Sequence, residues 1–222
     1  MRRWWIYQAE RFPLVAHGPL IMAFSGSAVC YSALLRGAGW PGWGAFAAAF
    51  FCSFFSFLHL RLADEFKDCE EDARYRPERP VPRGLISLRE LGWLWVGTAV
   101  LQMGVAIWRD ARLAWILAAT WLYLALMSRE FFARDWLKTR PFTYMWTHML
   151  IMPLIDLMAT ACDWLPVNEG VPSGLFWFLA ASFFNGMVIE IGRKIRAPAE
   201  EREGVATYTA VWGRGRAVGG WL

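Results

Sequence analysis

The chain has 222 residues, 57% of them hydrophobic, with 15 Trp, 16 Phe and a formal net charge of +4. Soluble domains are roughly 45–50% apolar, so the composition excludes an ordinary soluble domain, and the length suits one domain. Cys30, Cys52, Cys69 and Cys162 form no CxxC pair, which argues against a zinc site or a disulfide framework, and no nucleic-acid partner is expected.

The N-terminus is basic, but Gln8, Glu10 and Arg11 interrupt the apolar region behind it, so no cleavable signal peptide is read. Six runs are long and apolar enough to cross a bilayer, which takes about 20 residues. They lie near 13–35, 43–62, 90–108, 112–128, 141–162 and 173–192, the fourth being short. Trp40, Trp43, Trp93, Trp108, Trp136 and Trp164 stand at or near the span ends, as in an interfacial aromatic belt. The expected fold is all-α, a polytopic transmembrane helix bundle of about six complete spans plus the start of a seventh.

Charge orients the bundle. Twenty of the 23 Lys and Arg residues fall in the N-terminus, the segments after spans 2 and 4, and the tail after span 6. The other three connections hold only Arg36, Arg109 and Arg112. Positive residues favour the cytoplasmic side, so an integral membrane protein (of the inner or plasma membrane, if bacterial) with a cytoplasmic N-terminus and cytoplasmic active-site loops is expected.

At the end of span 2, residues 64–72 carry six acidic side chains in nine positions. Asp64, Asp68 and Asp72 recur every four residues and form one slowly drifting stripe on a helix. A charge run commonly marks a solvated helix end. Three like charges on one face also repel unless a cation sits among them, and a divalent metal holding a phosphorylated substrate would answer that repulsion. The following segment, Tyr75 to Gly84, is rich in proline and arginine and must leave the helix. Arginine grips phosphate oxygens in bidentate fashion, so stripe and loop together suit a diphosphate whose apolar tail lies among the helices.

In these residues the chain resembles the UbiA-type intramembrane prenyltransferases. That family carries N-D-x-x-D-x-x-x-D at the end of its second span, followed by R-P-x-P-x-G. The chain has Asp64-Glu65 for Asn-Asp, then Asp68 and Asp72, and Arg79-Pro80-Val81-Pro82-Arg83-Gly84 matches every defined loop position. The family's second motif, D-x-x-D-x-x-x-D followed by Gly and Thr, falls after span 6. In this chain Lys194 and Ala197 occupy the first two acidic positions, Glu201 keeps the third, and Gly204 and Thr207 follow. Glu190 lies one turn before Lys194, where the two can pair.

The resemblance implies Mg²⁺-dependent transfer of an isoprenyl group from a prenyl diphosphate to a lipophilic, often aromatic, acceptor within membrane lipid. Asp64, Asp68 and Asp72 would be the catalytic metal carboxylates, with Glu65, Glu190 and Glu201 as further metal candidates. Arg79, Arg83, Lys194, Arg193, Arg129, Tyr123 and Arg11 would bind the diphosphate. Lys194, with Arg193 or Arg196, is expected to replace a second metal. Asn185, Asp156 and His148 are polar residues inside spans, suited to a cavity, an acceptor contact or a helix–helix hydrogen bond. His17 and His59 are read as packing residues.

Two alternatives accompany this reading: phosphosugar transfer to a polyprenyl phosphate, and a non-catalytic relative that binds a polyprenyl lipid. The D-G-x-x-A-R core of the CDP-alcohol phosphotransferases is not found. The family fold has nine helices, so residues 1–222 are expected to form a single but incomplete membrane domain: a fragment, a truncated product or a minimal variant.

Overall fold

The computed structural model describes residues 2–201 and 207–222. In chain order the helices are α1 (Arg2–Arg11), α2 (Leu14–Leu35), α3 (Trp43–Lys67), α4 (Cys69–Tyr75), α5 (Leu88–Arg109) and α6 (Leu113–Ser128). They continue as α7 (Arg134–Lys138), α8 (Pro141–Met149), α9 (Ile151–Trp164), α10 (Leu175–Arg193), α11 (Tyr208–Trp212) and α12 (Arg214–Trp221). No strand occurs among the described residues.

Five segments are long and apolar enough to span a membrane: α2, α3, α5, the α8–α9 pair and α10. Helix α6 has 16 residues, which at 1.5 Å per residue is about 24 Å, shorter than a hydrocarbon core of about 30 Å. The protein is an integral membrane helix bundle. Its outer surface presents Val96, Val100, Leu101, Leu122, Phe176, Phe184 and Ile189, an apolar exterior suited to lipid rather than water.

Helix α9 is the hub, packing on α2, α3, α6 and α10. Ala28, Ala45, Ala48, Ala49, Ala159 and Ala161 are fully buried in one cluster, and these small side chains let helix backbones approach closely. Trp40, Trp43, Trp93, Trp108 and Trp136 are exposed as an aromatic belt requires. Trp164 departs from that expectation: it is buried in the alanine-rich cluster, where it fills space that small residues leave.

Local sequence explains several boundaries. Ser87 and Glu90 form a reciprocal capping box that starts α5. Pro153 has no N–H to offer the Met149 carbonyl, and the span expected over 141–162 is broken at Leu150 into α8 and α9. Gly192 abuts α12: a Cβ there would lie 2.7 Å from Trp221 Nε1, so a larger residue would require the Trp221 side chain to shift.

Polar side chains close the two ends of the bundle. At one end Arg36 binds Asp163 at 2.9 Å and Glu169 at 2.8 Å, and Arg109 Nε donates to the Cys162 carbonyl at 2.9 Å. At the other end α1 is tied down by Arg3–Glu90 (2.5 Å), Arg83–Glu10 (2.8 Å) and the Arg11–Glu65 pair. Its Tyr7 is buried with Leu62, Ile86 and Leu91. The acidic stretch lies at this second end.

Candidate active site at the acidic end of the bundle

The stripe bends. Asp68 leaves helical geometry (φ −96°, ψ 8°) between α3 and α4, yet backbone bonds run through it, from Asp68 N to Asp64 O at 2.9 Å and from Asp72 N to Asp68 O at 2.7 Å. The three carboxylates have different surroundings. Asp64 stays half-exposed, with Arg61 at a long 3.4 Å. Asp68 is partly buried and has no hydrogen-bond or ion-pair partner among the described residues. Asp72 turns inward, buried, and is held by Arg76 at 2.9 Å and Arg79 at 2.5 Å. Burial, and after it the facing Asp64 carboxylate, pushes the Asp68 carboxyl up.

The loop after α4 is a tight knot. Arg83 N donates to Arg79 O at 3.0 Å, and Leu85 N to Pro80 O at 2.9 Å. Gly84 has φ +75°, a conformation that a side chain strongly disfavours, and so accounts for the glycine at the end of the motif. Arg79 is directed at Asp72, while Arg83 reaches Glu10 and the Glu78 carbonyl.

Glu65 is buried and engaged by Arg11, so a proposed metal ligand and a proposed diphosphate ligand pair with each other. Tyr123 donates to the Thr147 carbonyl at 2.6 Å, which fastens α6 to α8. Arg129 is exposed at the end of α6.

The end of α10 supplies two further cations, Arg193 and Lys194. Glu190, buried, pairs with Arg193 and, at 2.7 Å, with Lys194, the pairing expected from the one-turn spacing. Lys194 lies 5.6 Å from the centre of the Tyr208 ring. Arg193 is within electrostatic range of Asp64, and Arg61 of both. Glu201 instead accepts hydrogen bonds from the Thr207 and Thr209 hydroxyls, which hold its carboxyl below the usual range. Gly204 lies outside the described residues.

Of the wall beside Asp68, only His148 is singled out by sequence, as a polar residue inside a span. Lys67 Nζ donates to Tyr144 OH at 2.6 Å and lies 2.7 Å from Glu130 Oε1. Glu130 Oε2 is 3.3 Å from His148 Nε2, and the Tyr144 and His148 rings stack at 3.9 Å. Burial alone would raise the Glu130 carboxyl; the His148 and Lys67 contacts outweigh it and hold it at about 2. Glu130, Phe131 and Phe132 all have positive φ, of 50°, 52° and 58°. Left-handed geometry at non-glycine residues is costly, and three in a row need strong anchors. Besides His148, the sequence signals are a lysine inside an acidic run and a Glu just past span 4.

His59 is a packing residue, bonded to Thr98 at 2.9 Å and stacked on Trp95. His17 stacks on Phe12.

A model of the UbiA prenyltransferase family matches residues 23–222. The chain belongs to the UbiA prenyltransferase family. No curated protein and no solved structure matches it significantly. UbiA membership implies prenyl transfer within the membrane, with a prenyl diphosphate and a lipophilic acceptor as the substrate classes. In this UbiA chain the two motif regions lie at the same end of the bundle, with Arg193 within electrostatic range of Asp64.

Proposed function

We propose that the chain transfers an isoprenyl group from a prenyl diphosphate to a lipophilic acceptor, and that Asp64 and Asp68 hold the Mg²⁺ that accompanies the diphosphate. The observation carrying this reading is that, of the four acidic residues at motif positions, Glu65 and Asp72 are tied to arginines while Asp68 has no partner and Asp64 only a distant one.

The donor set fits Mg²⁺ of a particular kind. No group of three metal-ligating side chains assembles among the described residues, so a cage made of protein alone is not offered. Mg²⁺ in phosphate sites commonly uses one or two carboxylates, with waters and substrate oxygens completing the octahedron. Bound there, Mg²⁺ would offset the negative charge of the diphosphate and favour its departure.

The rest falls to side chains. Arg61 and Arg193 lie within electrostatic range of Asp64, and with Lys194, which shares Glu190 with Arg193, they can take the charge that develops on the leaving diphosphate. Glu190 gathers Arg193 and Lys194 into one place. Asp72 positions Arg79, whose remaining N–H groups stay available to phosphate oxygens. Glu65 and Arg11 brace α1 against α3. The surrounding bundle excludes water from the allylic cation, so that the acceptor captures it.

The loop charge asymmetry supports a cytoplasmic acidic end and N-terminus. The test is transfer of label from a radiolabelled prenyl diphosphate to membrane lipophiles, with and without Mg²⁺. Mg²⁺-dependent transfer is expected. Transfer from a sugar diphosphate instead would replace this reading with phosphosugar chemistry.

A further inference from the structure

A groove lies on the outer side of the bundle, between the end of α3 and the start of α5. It has a volume of about 400 Å³ and is lined by Phe66, Leu88, Arg89, Gly92, Trp93 and Val96. Its floor depends on Gly92, where α5 presents no side chain and a Cβ would meet the Phe66 ring at 3.8 Å. Phe66 is fixed as one wall by an edge contact with Trp95, the ring centres 6.1 Å apart. Phe66, Trp93 and Val96 are exposed, so the groove opens outward. Phe66 follows Asp64 by two residues on α3, about 200° around the helix. The groove is therefore on the opposite side of α3 from Asp64, away from the diphosphate centre.

Arg89 is the only charged residue of the lining. It is exposed and has no hydrogen-bond or ion-pair partner among the described residues. Its neighbour Glu90 does not neutralise it, because that carboxylate caps α5 through Ser87 and pairs with Arg3 at 2.5 Å. The lining is graded along α5. Arg89 stands in the first turn, Trp93 one turn further and Val96 seven residues on, about 10 Å along the axis. A cation, then an interfacial Trp, then an apolar trough is the order in which a lipid presents headgroup, ester region and chain. A bare hydrocarbon chain would fill the trough and leave Arg89 unanswered. A small anion would answer Arg89 and leave the trough empty. An anionic phospholipid supplies both, and the topology proposed above puts this end at the cytoplasmic leaflet, where anionic lipids concentrate.

We infer that this groove binds an anionic phospholipid, with its phosphate on Arg89 and one acyl chain lying over Gly92 between Phe66 and Val96. The guanidinium suits the phosphate because it can donate two parallel N–H bonds. The site rests on the membrane topology and not on prenyl transfer.

The test titrates the full chain in detergent with phosphatidylglycerol or with phosphatidylcholine of identical chains, counting bound lipid by native mass spectrometry. The first phosphatidylglycerol is expected to bind about fivefold more tightly than the first phosphatidylcholine, the effect of one basic residue beside anionic lipid. Arg89→Gln should abolish that preference, and Arg89→Lys should keep most of it. Arg134, at the start of α7, is another exposed arginine at the same end. Arg134→Gln should leave the preference unchanged, which separates a site from general surface charge. Gly92→Leu fills the groove and should weaken binding of both lipids. Glycerol phosphate, a headgroup without chains, should not displace bound phosphatidylglycerol. Equal affinity for the two lipids, equal losses in Arg89→Gln and Arg134→Gln, or unchanged binding in Gly92→Leu would each overturn the assignment. So would displacement by glycerol phosphate, or a dimer of the chain in place of bound lipid that Gly92→Leu disrupts.

Discussion

The Lys67 ammonium lies 2.7 Å from Glu130 Oε1, not on Asp68, its neighbour in the chain. An unengaged lysine at that position would be the nearest cation to the carboxylate proposed to hold Mg²⁺. Glu130 and Tyr144 draw it aside, and Asp68 is left available.

That relationship predicts the behaviour of Glu130→Gln. The released Lys67 should compete with Mg²⁺ for Asp68, and the Mg²⁺ concentration for half-maximal diphosphate binding should rise several-fold. Adding Lys67→Met should restore it towards wild type. A Mg²⁺ titration of diphosphate binding checks both, and a double variant no better than the single would refute the competition.

Glu130 also makes stability depend on pH. Its carboxyl sits at about 2 in the folded chain, against an ordinary 4.5. The folded state therefore binds the proton less readily than the unfolded chain, and the stabilisation is complete above pH 4.5. It is lost as pH falls from there towards 2. Unfolding midpoints measured across that window should drop less steeply for Glu130→Gln than for wild type.

Asp64 and Asp72, alike in the motif, should part company in stability. Asp72 is buried between two arginines, and removing one partner of such a group leaves charge uncompensated, so Asp72→Asn should cost roughly 1–3 kcal/mol. Asp64 is half-exposed with one distant arginine, and Asp64→Asn should change stability by less than about 0.5 kcal/mol. Chemical unfolding in detergent distinguishes the two, and Asp64→Asn should still lose turnover.

The spans were legible because a bilayer imposes length and hydropathy on every crossing helix. The proline–arginine loop was legible because Pro80, Pro82 and Gly84 each fix backbone geometry locally. Partnerships were not. Nothing in a run of carboxylates says which one turns towards an arginine 54 residues earlier, as Glu65 does to Arg11, or that the run bends at Asp68. Lys67 and Glu130 meet only because α3 and the turn after α6 converge, a tertiary fact without local signature. The Glu190–Lys194 pair was foreseeable because both residues share one helical turn.

The central claim is that Asp68, with Asp64, holds the metal-bound diphosphate. Its most direct test is equilibrium binding of a non-reactive prenyl thiodiphosphate to wild type and Asp68→Asn, with and without Mg²⁺. Wild type should bind in a Mg²⁺-dependent manner, and Asp68→Asn should lose at least about tenfold in affinity, with most of its Mg²⁺ dependence. Equal, Mg²⁺-dependent binding by both proteins would contradict the account.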